Sequence, residues 1–106
     1  MKEDQRTKRT PSENKKRLDV FLKASCLVSR RTVANHMCEA GLVKLNGGTA
    51  KPAKEVKIGD VIELRRGSKE IAIRVLEIPD KQLSKKQARK LYEIIHEKPI
   101  ENNLDL

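Results

Sequence analysis

The chain has 106 residues, enough for one domain with tails, and its 24 Lys and Arg against 15 Asp and Glu give a net charge of +9. Only 37% of the residues are hydrophobic, and Phe21 and Tyr92 are the sole aromatics, so the core is expected to be small and aliphatic, with no platform on which bases could stack. A basic surplus of this size points to an anionic partner, nucleic acid or acidic lipid, and says nothing about fold.

Residues 1–15 read as a disordered basic arm. Up to Arg17 the chain carries seven basic and three acidic residues among Thr, Ser, Asn and Pro, a mixture that does not offset the entropy of ordering. The arm holds no apolar run suited to a secretory signal or a membrane span, and bulky residues for insertion into lipid are missing. A cytoplasmic protein without a membrane partner, with Cys26 and Cys38 reduced, is therefore expected.

Order is expected from residue 16. In RLDVFLKAS, Leu18, Phe21 and Leu22 share one helical face, with Arg17, Asp19 and Lys23 off the stripe. Ser29 reads as the N-cap of a second helix, SRRTVANHMCEAG, with Val33, Met37 and Ala40 inward and Gly41 as its stop. Leu27 and Val28, between the helices, are expected in the core.

After Gly41 the period changes to two. Val43 and Leu45 alternate with Lys44, Asn46-Gly47 predicts a tight hairpin turn, and TAKP returns from it. Val56 and Ile58, a Gly59-Asp60 turn, a strand over 61–64 and the alternation of Ile71, Ile73 and Val75 complete a small, mainly antiparallel sheet. The fold class is thus α+β, a two-helix hairpin on that sheet, spanning residues 16–79. Residues 80–106 are expected to form a C-terminal helix and frayed tail. Ser84 and Gln87 open this helix as a capping box, and Ala88, Leu91 and Ile95 follow at helical spacing.

Arg30 and Arg31 stand at the start of the second helix, where a cation is unfavourable by a few tenths of a kcal/mol unless an anion is near. Lys16, Arg17 and Lys23 lie on the adjacent helix. Five cations against the single nearby carboxylate of Asp19 make a field rather than a salt bridge. Asp19 is expected to brace an arginine or to pair with Lys23. Lys44 and Lys51 flank the Asn46-Gly47-Gly48 turn, which lacks the spacing of a nucleotide-binding loop. Arg65, Arg66 and Lys69 form at most a secondary basic patch. Cys26, His36, Cys38 and His96 lack metal-site spacing, and no nucleophile has an oriented base. No cofactor, metal or catalysis is expected.

The segment RLDVFLKASCLVSRRTVANHMCEAGLVKLNGGTAKPAKEVKIGDVIEL resembles the S-four domain, the RNA-binding module named after a small-subunit ribosomal protein. The Arg-Leu-Asp-x-Phe-Leu opening, the Ser-Arg-Arg helix start, the Gly-x-Val-x-Leu-Asn-Gly strand and the Val-x-x-Gly-Asp turn carry the likeness. In length and detail the chain is similar to the RqcP family and the related ribosome-associated heat-shock protein. The resemblance implies a monomeric, ribosome-associated, non-enzymatic factor on obstructed large ribosomal subunits, touching large-subunit rRNA and peptidyl-tRNA. There it would support C-terminal alanine tailing together with the factor RqcH. It further implies that Arg17 and Arg31 make the principal RNA contacts, with Lys16, Lys23, Arg30 and Lys51 as neighbours. Alternatives are a heat-shock-type recycling role, a DNA-binding regulator built on the helix pair, and an accessory subunit of an RNA-modifying enzyme. Replacing Arg17 and Arg31 by alanine is expected to release the protein from large subunits without disturbing its fold.

Overall fold

A computed structural model describes residues 15–80 and 82–100. The arm, apart from Lys15, and the tail beyond 100 lie outside the described residues. Strand β1 (Lys15–Arg17) leads into helix α1 (Leu18–Ala24), and helix α2 (Arg31–Glu39) follows. Strands β2 (Val43–Leu45), β3 (Gly48–Thr49), β4 (Glu55–Lys57), β5 (Val61–Arg66) and β6 (Lys69–Val75) come next. A short helix α3 (Lys85–Ala88), a 3-10 turn (Arg89–Leu91) and strand β7 (Tyr92–Pro99) complete the order.

Five strands form one antiparallel sheet in the order β3-β2-β5-β6-β7, and β1 pairs with β4 in a separate two-stranded ribbon. Leu18, Phe21 and Leu22 of α1 are fully buried, as their spacing predicts, and Leu27 and Val28 join them in the core with Val43, Ile62, Leu64, Ile73 and Val75. The α+β hairpin-on-sheet arrangement expected from the pattern is the one observed.

The β2–β3 hairpin closes through Asn46 and Gly47, both at positive φ, and Leu45 pairs with Gly48. That is the two-residue turn whose twist suits a hairpin. Asn46 does more than turn the chain. Its Nδ2 donates to Asp60 Oδ1 at 3.1 Å, its Oδ1 accepts from the Val61 N–H at 2.9 Å, and Asp60 Oδ2 accepts from the Lys57 N–H at 2.8 Å. The Asn-Gly and Gly-Asp turns are thereby fastened to each other.

Lys16 and Arg17, expected on the first helix, lie in strand β1 instead. Helix α2 begins at Arg31, with Arg30 rather than Ser29 as its N-cap and no capping side-chain bond. Its inner face is Ala34 and Cys38, flanked by Met37, while Val33 is 44% exposed and Ala40 faces solvent. Small residues at i, i+4 let α2 approach α1 closely, and this choice of face turns Arg31 and Asn35 toward α1. Ile58, expected to continue the strand of Val56, sits in the turn after β4 and is exposed.

The C-terminal helix is much shorter than its periodicity predicts. Ser84 does accept from the Gln87 N–H at 3.2 Å, yet the helix gives way after one turn and Tyr92–Pro99 is strand. Ala88 and Leu91 are buried, but Ile94 and Ile95 are exposed. The register shift between Ala72 and Ile73 pairs them with His96 and Ile94, leaving Ile95 as the extra residue of a bulge. Local helical spacing yields here to the unpaired edge of β6, whose N–H and C=O groups need partners. Tyr and β-branched Ile suit that edge.

Helix α2 stops at Gly41 (φ 76°), with the Gly41 N–H on Cys38 O and the Leu42 N–H on Met37 O. Gly41→Ala forces a side chain into the left-handed region and is expected to destabilise the fold by about 1–2 kcal/mol. Urea denaturation checks this.

Candidate nucleic-acid interface

The interface grows out of the N-terminus of α1. Its first free N–H groups are taken up by a loop: Leu18 N donates to Lys54 O at 2.8 Å and Asp19 N to Pro52 O at 3.1 Å. Since β1 is also paired with β4 through Lys16↔Val56 and Arg17↔Glu55, the start of α1 is held from two sides. Lys51 and Lys54 ride on the same loop, and both are exposed.

Asp19 has no solvent exposure at all, although its sequence position is off the apolar stripe. Arg17 reaches forward to it with two bonds, Nε to Oδ1 at 3.1 Å and Nη2 to Oδ2 at 3.0 Å. From α2, Arg31 Nε approaches Oδ2 at 3.5 Å and Asn35 Nδ2 donates to the same oxygen at 3.3 Å. Two guanidinium groups, one from the end of β1 and one from α2, therefore converge on one buried carboxylate. Neither is tucked inside: their side chains remain 44% and 55% exposed. An Arg fork held on one side and open on the other is suited to donate to phosphate oxygens.

Burial pushes the Asp19 carboxyl up, but hydrogen bonds from Arg17 and Asn35, with the charges of Arg17 and Arg31, outweigh it and hold the group below the ordinary carboxylate range. The expected brace is therefore real, and it serves both arginines. The alternative Asp19–Lys23 pair is not formed. Lys23 Nζ instead donates to Gln82 Oε1 at 3.1 Å.

Of the six residues expected to touch RNA, Arg17 and Arg31 are brought together, and Lys16, half-buried, precedes Arg17 in β1. Arg30 is exposed at the N-cap of α2, Lys51 lies on the loop beside α1, and Lys23 lies toward the far end of α1. Asn35 is engaged by Asp19. Its i, i+4 relation to Arg31 was the available signal that both face one partner.

The remaining chemistry is quiet. Cys38 is buried, and burial with the charges of Asp19 and Glu39 pushes its thiol up to about 11. Among the described residues no group of three or more His, Cys, Asp or Glu is placed to hold a metal ion, and no helix is long and apolar enough to cross a membrane.

The family model of the S4 domain matches residues 16–62, which contain this whole arrangement. An RQC P-site tRNA stabilizing factor of Streptococcus pneumoniae is 41% identical over 88 residues, covering 83% of this chain and 99% of the relative. The chain belongs to that family. A member of the same name from Helicobacter pylori strain J99 is 52% identical over 65 residues, 59% of this chain and 75% of the relative. The solved structure of heat shock protein 15 of Vibrio cholerae, described as trimeric, matches with a TM-score of 0.73 at 39% identity, covering 76% of this chain and 81% of that one. The S4 match ends at Ile62, so β6, α3 and β7 follow the matched segment.

Two outcomes follow for the titrating groups. The folded-state pKa of Asp19 lies below its unfolded value of about 3.9, so ionised Asp19 stabilises the fold above that pH and the contribution is lost as pH falls through the folded value. Urea midpoints of wild type measured from neutral pH down to about pH 2 should fall more steeply than those of Asp19→Asn. With a thiol reagent at pH 8, Cys26 is expected to react in the native protein and Cys38 only after unfolding, as peptide mapping would show.

Proposed function

We propose that this chain is a ribosome-associated RNA-binding factor that holds RNA without performing a reaction. The observation that carries the proposal is the pair of half-exposed guanidiniums fixed by buried Asp19 inside the S4 segment. Its relatives are named for stabilizing the P-site tRNA, and a ledge of oriented arginines is suited to that task. Phosphate oxygens accept from the open side of each guanidinium, while Lys16, Arg30, Lys23 and Lys51 extend the positive field around them.

On this reading the monomeric protein sits in the cytoplasm on the large ribosomal subunit, contacting rRNA and peptidyl-tRNA of stalled complexes. There it supports C-terminal alanine tailing with RqcH, as the family resemblance implies. The likeness to heat shock protein 15 favours a second reading, recycling of large subunits blocked by nascent chains. Loss of alanine tails on stalled products in cells lacking this protein supports the first reading, and retention of the tails supports the second.

Replacing Arg17 and Arg31 alone strands a buried carboxylate, at a cost on the order of 3 kcal/mol, so loss of binding could be loss of folding. The triple change Asp19→Asn, Arg17→Ala and Arg31→Ala removes both cations together with the buried charge. In a gradient it should leave the large-subunit peak, while Asp19→Asn alone, which keeps both cations but orients them less well, should bind more weakly without being lost. Co-sedimentation of the folded triple variant at the wild-type level would overturn the proposal. For wild type, neutralising about 4–6 phosphates predicts a log–log salt slope of roughly −3 to −5.

A further inference from the structure

A second basic cleft lies at the other end of α1. Ser25 and Cys26, which terminate that helix, line it together with Arg66 from the end of β5, Lys85 and Arg89 from the α3 turn, and Tyr92 and Ile94 from β7. Its volume is about 520 Å³. The lining holds three cations and no carboxylate. Neighbouring acids are engaged elsewhere, Glu93 with Arg74 at 3.5 Å and Glu97 with Lys69 at 3.0 Å. Among the described residues no salt bridge reaches Arg66, Lys85 or Arg89.

Like charges gathered in one concave place repel each other, and a fold tolerates this most readily where an anion is to be received. We propose that this cleft is a second contact for the RNA backbone, separate from the Arg17–Arg31 ledge. The inference rests on the RNA-binding reading above and adds the C-terminal unit to it. Helix α1 connects the two places. From Arg17 to Ser25 the axis advances about 12 Å, and Lys23 lies between them, steadied by Gln82. Gln82 also donates to Ala24 O at 3.3 Å and approaches Cys26 Sγ at 3.8 Å, so the segment after β6 is clasped to the rim of the cleft. A backbone gripped at the ledge would pass Lys23 on its way to the cleft.

The lining also favours RNA over other anionic partners. Tyr92, half-buried, packs against the core and lines the cleft, an aromatic beside cations of the kind that suits an unpaired base and its phosphates. A membrane is the poorer occupant, since Ile94 is the one exposed large apolar side chain in the lining.

Filter binding of bulk tRNA and co-sedimentation with purified large subunits, each at several salt concentrations, test the proposal. Arg66→Ala with Arg89→Ala should weaken both by about 10-fold or more and make the salt slope shallower by about 1.5. Arg66→Lys with Arg89→Lys should keep the slope. Both arginines are exposed, and an unchanged urea midpoint verifies folding. A photocrosslinker on Cys26 should attach to RNA in the wild-type complex. Unchanged affinity and slope in the alanine variant, while the Asp19–Arg17–Arg31 triple variant fails to bind, would sink the cleft and leave the ledge standing. Failure of the wild type to bind either RNA overturns both. Unchanged RNA binding with lost retention on immobilised polyglutamate would reassign the cleft to an acidic peptide.

Discussion

A carboxylate sealed from solvent in a small aliphatic core stays ionised only where cations and donors stand against it. Asp19 meets that condition with Arg17, Arg31 and Asn35, and the interface follows from it. The buried charge fixes two long side chains that would otherwise sample many rotamers, so much of the ordering cost of binding is met before a ligand arrives. One negative charge cannot neutralise two guanidiniums, and the surplus positive charge faces outward.

The rest of the fold serves that arrangement. The ribbon of β1 and β4 and the carbonyls of Pro52 and Lys54 set where α1 begins, and hence where Arg17 stands. Ala34 and Cys38 admit α2 close enough for Arg31 and Asn35 to reach across. Asn46 and Asp60 lock the two turns of the sheet on which the helices rest. Residues that read as turn markers in the sequence thus act at a distance on the interface.

Much of this was legible beforehand. The i, i+3, i+4 spacing of Leu18, Phe21 and Leu22, the alternation through the strands and the Asn46-Gly47 turn are local patterns, and local physics decides them. The gathering of Arg17 and Arg31 was foreseen from charge density and family likeness, and the brace by Asp19 was among the options. Its complete burial was not, because burial depends on how two helices meet. The face of α2 was misjudged for a related reason: Val33 and Ala40 fit an apolar stripe as well as Ala34 and Cys38, and only packing chooses between them. The C-terminal strand escaped because a helical period in Ala88, Leu91 and Ile95 competes with a free sheet edge that no local window contains. The cleft of Arg66, Lys85, Arg89 and Tyr92 depends on that strand and was hidden with it.

The chemistry of the ledge also sets what can regulate it. Guanidinium does not lose its proton in any physiological medium, and Asp19 stays ionised well into acid. No histidine stands among the groups that hold the two arginines. The charge of this Asp19–arginine cluster is therefore constant across the conditions of a living cell, and acidification during starvation or stress cannot loosen it. If the ledge holds RNA as proposed, release would come from ions competing for the same oxygens, from rearrangement of that RNA, or from another macromolecule taking its place.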